Sequence, residues 1–256
     1  MGKWFYKTKA YQNLSCFSTT VKTIYRNIRG EKFESEVKVL KKFISEGSIV
    51  FDVGAAYGRY TLPFCRLVGN YGHVYSFEPG SYSYGVLSTI VKFHRLRNVT
   101  TMKKALSNKS GTLRLLLPIK KSGKAGPSLA YLSEQGNSNC IAEDVEMTTI
   151  DNYCEKMNVL RVDFIKCDVE GAELLVFKGG RNTIERYKPT ILCEVDKGNL
   201  EKFGETPERL YEFIVPMGYK SFIFERNTFN EVDCIVRASN YFFIHGDKEE
   251  LIEQLV

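Results

Sequence analysis

Very little in this chain would build a covalent or metal-bound scaffold. Its seven cysteines are odd in number and form no CxxC pair, so neither a disulfide framework nor a zinc cluster is expected. Several sit in apolar runs and read as buried free thiols, which suits a reducing cytoplasm. Of the three histidines, His73, His94 and His245, none has a partner at metal or general-base spacing; they read as surface or packing residues. No run of about 18 apolar residues is present, so no transmembrane helix is expected. The first thirty residues lack an apolar core with a small-residue cleavage site, and no secretory signal is expected. Tyr6 stands where a myristoylation motif needs Ser or Thr. Neither a GxxxxGK[ST] phosphate loop nor an internal repeat is found.

What is there is an ordinary globular composition. The chain has 256 residues, 43% hydrophobic and 26% charged, which excludes a disordered or fibrous protein. Its net charge of +6 has one source. Residues 1–30 hold Lys3, Lys7, Lys9, Lys22, Arg26 and Arg29 and no acidic residue. Charges in the rest of the chain balance, so no nucleic-acid partner is expected. Trp4, Phe5, Tyr6, Tyr11, Phe17 and Tyr25 accompany the basic residues. Such an arm suits peripheral contact with an anionic membrane, or a helical extension with solvated charges. The expected division is an arm over 1–30 and one domain over 31–256.

From residue 31 the hydrophobic pattern alternates. Phe33, Val37, Leu40 and Ile44 predict an amphipathic helix stopped by Gly47. Strands are predicted at 48–53, 72–77, 99–104, 162–168, 190–195, 219–224 and 241–244. Helices are predicted at 60–68, 84–95, 150–157, 172–186 and 207–217. Residues 112–117 suggest an antiparallel excursion, 119–140 a long loop, and 145–149 a return to regular structure. The alternation predicts an α/β fold, a mostly parallel sheet covered on both faces. Ligands bind such sheets beyond the carboxyl ends of the strands.

Three strand ends stand out. The first runs Phe51-Asp52-Val53-Gly54-Ala55-Ala56-Tyr57-Gly58. Gly54 permits close backbone approach, and the helix that follows offers free N–H groups; Asp52 is placed to meet a cationic ligand group. Dinucleotide folds space their first two glycines two apart, whereas here they are four apart. Asp-x-Gly-x-x-x-Gly resembles the first motif of class I methyltransferases that use S-adenosylmethionine. The second strand ends in Phe77-Glu78-Pro79, where a carboxylate can accept from both ribose hydroxyls and proline stops the strand. The third ends in Lys166-Cys167-Asp168-Val169-Glu170-Gly171-Ala172-Glu173. Carboxylates so crowded repel one another unless a cation, a proton or donors lie near. Glu194 ends the next strand. Lys166 reads either as an ion-pair partner for Glu194 or as a lysine that snorkels out.

Together with Tyr60-Thr61, Thr149-Ile150-Asp151 and Lys178-Gly179-Gly180, these runs resemble the FkbM-type family of S-adenosylmethionine-dependent methyltransferases over about residues 31–245. The resemblance implies a Rossmann-like sheet of seven strands, the last antiparallel, and methyl transfer to a hydroxyl of a sugar, glycolipid headgroup or secondary metabolite. It implies a cofactor site of Asp52, Gly54, Ala55, Gly58, Glu78, Pro79, Ala105 and Leu106, with the last two near the adenine. Asp168 is expected nearest the reacting centre, with Glu170 and Glu194 beside it. Ala56 departs from the usual Asn, Tyr57 from a small aliphatic residue, and Gly80-Ser81 from a second proline.

Asp168 is the expected general base or orienting group for an acceptor hydroxyl. A divalent cation held by Asp168, Glu194 and Glu170 is the less favoured arrangement. Glu173 is read as serving the helix N-terminus. The 119–140 loop, with Lys120, Lys121 and Lys124, is the candidate for acceptor recognition. N-methylation and a non-catalytic cofactor-binding protein are the alternatives; the first lacks an Asn-Pro-Pro-Tyr motif, and the second leaves the carboxylates without a task.

Overall fold

A computed structural model describes residues 16–25, 35–118, 131–133, 140–235, 237 and 239–253. Its main sheet contains β1 (Ile49–Val53), β2 (His73–Phe77), β3 (Val99–Met102), β8 (Phe164–Cys167), β9 (Thr190–Val195), β10 (Tyr219–Glu225), β11 (Thr228–Val232) and β12 (Ser239–His245). The spatial order is β11-β10-β12-β9-β8-β1-β2-β3. β1 pairs in parallel with β2 and β8, β2 with β3, and β8 with β9. β12 runs antiparallel between β9 and β10. The expected seven strands are present, and β11 adds an eighth, antiparallel to β10.

Period-two alternation builds two cores, one on each face of this sheet. Phe51, Ile165, Cys193 and Phe243 face one way; Val50, Phe164, Leu192 and Phe242 face the other. Asp52, Lys166, Glu194 and Asn240 share the parity of the second set. The polar residues of the strand ends are thereby collected on one face.

Helices α2 (Thr61–Val68), α3 (Ser81–Phe93), α4 (Ile150–Lys156), α5 (Glu173–Lys178), α6 (Arg181–Tyr187), α7 (Lys197–Leu200) and α8 (Pro207–Ile214) complete the layers. The helix predicted from Phe33 is instead two 3-10 segments, Ser35–Lys38 and Leu40–Lys42. The tighter winding brings Val39, outside the helical pattern, into the core with Leu40 and Ile44. The predicted 172–186 helix breaks at Gly179-Gly180. A Cβ on Gly179 would stand 2.0 Å from the Ser107 carbonyl oxygen, so the break accompanies close packing.

A second sheet comprises β4 (Ala105–Leu106), β5 (Gly111–Pro118), β6 (Tyr131–Ser133) and β7 (Cys140–Thr148), in the order β4-β7-β5-β6. The predicted loop 119–140 is therefore partly strand: β6 pairs with β5, and β7 begins at Cys140. Its three lysines lie outside the described residues. Of the arm, residues 16–25 form helix α1. Cys16 and Ile24 pack against Leu62, Val86 and Ile90, and Thr19 and Tyr82 share a 2.7 Å hydroxyl hydrogen bond. The other arm residues lie outside the described ones.

Candidate active site

Strand order reverses between β1 and β8, and a cleft of about 440 Å³ opens beyond their carboxyl ends. This falls within the range of small-molecule sites. Asp52, Gly54 and Ala55 line it at the end of β1. Phe77, Glu78, Ala105, Leu106 and Leu115 line one end, and Asp168, Glu170, Glu194 and Asn240 another part of its wall.

The β1 turn is shaped by strand packing. Gly54 has φ +81°, and a Cβ there would stand 1.8 Å from the Asp168 carbonyl oxygen. Glycine therefore lets the ends of β1 and β8 touch, in addition to leaving the turn open to the cleft. The Gly54 and Ala55 N–H groups both donate to the Phe77 carbonyl at 3.0 Å. Ala56 has φ +46°, a left-handed conformation that asparagine tolerates better than alanine. Gly58 also has positive φ and packs on Leu87.

Buried Asp52 accepts a 2.5 Å hydrogen bond from the Thr61 hydroxyl. Burial pushes its pKa up to about 6, against the pull of Thr61 and Lys166. Glu78 accepts from the Ala56 N–H through Oε2 and the Gly80 N–H through Oε1, both at 2.9 Å. Burial pushes its pKa up to about 7 despite these bonds. The two backbone donors fix a carboxylate at the cleft wall, and each oxygen has a further lone pair for a ligand hydroxyl.

The densest charge lies at the end of β8. Lys166 is buried, with Nζ 2.7 Å from Asp168 Oδ2 and 4.9 Å from the centre of the Tyr60 ring. Burial opposes the charge on Asp168, but the Lys166 ammonium and the hydrogen bond from Glu194 together hold this carboxyl below its ordinary value. Asp168 in turn hydrogen-bonds Glu194. Desolvation in the cleft, the shared hydrogen bond and the Asp168 charge all raise the Glu194 pKa. The arrangement favours an ionised Asp168 beside a protonated Glu194. Glu170, at φ +57°, accepts from Asn199 Nδ2 at 2.9 Å.

Residues 52–221 match the family described as the methyltransferase FkbM domain. The chain belongs to the FkbM methyltransferase family. Among solved structures it is similar to a methyltransferase FkbM from Methylobacillus flagellatus, with 14% identity and a TM-score of 0.49, covering 78% of this chain and 44% of that one. This chain thus spans less than half the length of that relative. An S-adenosylmethionine-dependent O-methyltransferase from Thermotoga maritima is similar at 10% identity and TM-score 0.44, covering 85% of this chain and 68% of that one. Fibrillarin from Aeropyrum pernix, solved with natively bound S-adenosyl-L-methionine, is similar at 14% identity and TM-score 0.44, covering 82% and 73%. These likenesses describe the fold alone. No curated protein matches the chain.

Of the residues expected from the sequence, Asp52, Gly54, Ala55, Glu78, Pro79, Ala105, Leu106, Asp168, Glu170 and Glu194 line the cleft of this FkbM-family domain. Gly58 does not line it and shapes the turn below. Glu173 lies behind the cleft wall: its Oε1 accepts from the Val169 and Gly171 N–H groups at 2.9 and 3.1 Å, closing the loop that leads into α5. Neither reading of Lys166 holds as stated, because its direct partner is Asp168 and its side chain is buried. Strand periodicity carries the signal for that: residues 164, 166 and 168 share a face. Tyr60, part of a motif run in the sequence, also lines the cleft, as do Arg59, Lys104 and Asn240, which no sequence motif marks. Asn240 is traceable only through the β12 register, which sets it opposite Glu194. Among the described residues, no group of three or more His, Cys, Asp and Glu is arranged to hold a metal ion, and no helix is long and apolar enough to cross a membrane.

Proposed function

We propose that this FkbM-family chain binds S-adenosylmethionine in the cleft and methylates a hydroxyl oxygen on a small-molecule or glycan acceptor, such as a sugar, a glycolipid headgroup or a secondary metabolite. The observation that carries the reading is the Lys166–Asp168–Glu194 cluster, set in the same cleft as Glu78 and the apolar surface of Phe77, Ala105, Leu106 and Leu115. The residues suit the cofactor's chemistry. Glu78 accepts from ribose hydroxyls, the apolar surface covers the adenine, and the carboxylates near the β1 turn favour a cation.

When bound, the cofactor supplies an electrophilic methyl group on a sulfonium. Asp168, held ionised by Lys166, accepts the acceptor hydroxyl's hydrogen bond and then its proton. Glu194 keeps Asp168 oriented through their shared hydrogen bond, and Glu170 and Asn240 offer further polar contacts for a hydroxylated acceptor. Alignment of the two reactants is the protein's larger contribution.

Calorimetric titration with S-adenosylhomocysteine tests the reading. Saturable binding is expected, weakened at least tenfold by Glu78→Ala through loss of charge-assisted hydrogen bonds. No binding to protein shown by mass spectrometry to carry no retained cofactor would overturn it.

A further inference from the structure

The balanced charge of the domain conceals a local excess. A second cleft, of about 470 Å³, lies at the opposite end of the sheet strands, beside the start of β2. Its walls are the end of α2, the turn through Gly72, and the segment between α3 and β3. Arg66, Arg95 and Arg97 line it, and no acidic residue does. All three are exposed, and none has a carboxylate partner among the described residues. Glu46 reaches Gly69, one of the wall residues, without lining the cleft itself. The carbonyls of Cys65 and Gly69, which would repel an anion, accept from Asn98 Nδ2 at 2.7 Å each. Arg95 takes the left-handed position, φ +52°, that ends α3.

The surface continues onto α1. Ile24 packs in one cluster with Leu96, the residue between Arg95 and Arg97. One apolar cluster thereby carries both the end of α1 and the segment that lines the cleft. Along the outer side of α1, Phe17, Val21 and Tyr25 recur every four residues and are 69%, 49% and 49% exposed. Phe93 and Tyr71, next in sequence to cleft-bordering segments, are 56% and 84% exposed.

We propose that the Arg66–Arg95–Arg97 cleft and the outer stripe of α1 form one docking surface for an anionic lipid bilayer. The guanidinium groups engage headgroup phosphates, and the apolar side chains enter the interface. Residues 1–30, with six basic side chains and no acidic one, add attraction of the same sign. A nucleic acid would share the phosphate chemistry, but a stripe that includes valine suits acyl chains. This inference does not depend on the methyl-transfer chemistry.

The test is sedimentation of the full chain with vesicles of phosphatidylcholine alone, or of phosphatidylcholine with phosphatidylserine, at low and high salt. Binding to the anionic vesicles is expected, weakening with salt. The triple variant Arg66→Gln/Arg95→Gln/Arg97→Gln should bind about a hundredfold more weakly, and Arg97→Gln alone about fivefold more weakly. Phe17→Ser/Val21→Ser should lose at least tenfold. Melting temperatures within a degree or two of the parent's would exclude misfolding as the cause. Equal sedimentation with both vesicle types overturns the proposal, as does unchanged binding by the triple variant. Arginine-dependent binding of inorganic pyrophosphate or single-stranded RNA without vesicle binding would also overturn it.

Discussion

Lys166→Met keeps much of the side chain's length and removes its charge. In the parent protein, Lys166 is buried against Asp168 and holds that carboxyl below its ordinary value. A carboxyl so held contributes stability above its unfolded pKa, near 4, and loses it as pH falls through the folded value. Without Lys166, only the Glu194 hydrogen bond and the Arg59 charge oppose the desolvation of Asp168, so its folded pKa rises and the stabilising contribution is lost. Breaking a buried pair costs about 3–5 kcal/mol. Asp168 keeps about 32% of its side-chain surface open, which points to the lower figure, about 3 kcal/mol. At roughly 2–3 °C per kcal/mol for a chain of this size, the melting temperature should fall by about 6–9 °C at pH 8. Toward pH 4 the deficit should shrink to about 2 °C or less, because Asp168 is then largely neutral in the variant. Differential scanning calorimetry of both proteins across that range is the assay. A deficit that is the same at both ends would show that Lys166 acts through packing alone, and the charge argument would fail.

Gly54→Ala places a methyl group 1.8 Å from the Asp168 carbonyl oxygen at positive φ; about 2–5 kcal/mol of stability should be lost in denaturant unfolding, along with S-adenosylhomocysteine binding. Ala56→Gly relieves a left-handed alanine and should raise stability by up to about 1 kcal/mol in the same assay. Burial raises Asp52 to about 6, and Glu78 and Glu173 to about 7. These groups contribute stability that is full below about pH 4 and lost as pH rises through 6–7, so the parent protein should melt lower at pH 8 than at pH 5; Glu173→Gln should flatten part of that slope, and an unchanged slope would exclude Glu173 as a source.

Much of this architecture was legible because its signals are local. β9 runs Thr190–Val195, as its apolar run predicts, and the parallel core follows from strands and helices taken in turn. Gly54 and Glu78 of the cleft were legible for the same reason: each directly follows the apolar run of a strand. The residues missed depend on long-range pairing. Asn240 faces Glu194 only through the β12 register; the Lys166–Asp168 pair, by contrast, lies two residues apart on one strand and follows from strand parity. β11 is short, with polar and charged residues among its few apolar ones, and only its pairing with β10 makes it a strand. The 3-10 segments before β1 kept a helical period in sequence while winding more tightly, a difference fixed by the packing of Val39.

The small sheet is tied to the main domain at its base. β4 pairs with β7, Glu143 accepts from the Ser81 N–H at 3.0 Å, and Leu115 stands against Gly80 beside Glu78. This tie limits the kind of change the fold tolerates. An extra residue in the Asp52–Gly58 turn would displace several fitted groups at once, and one at the paired base of the small sheet would carry Glu143 and Leu115 away from Ser81 and Gly80. Evolution can therefore exchange side chains at this base more readily than it can change its length, so related chains should keep the length of both segments.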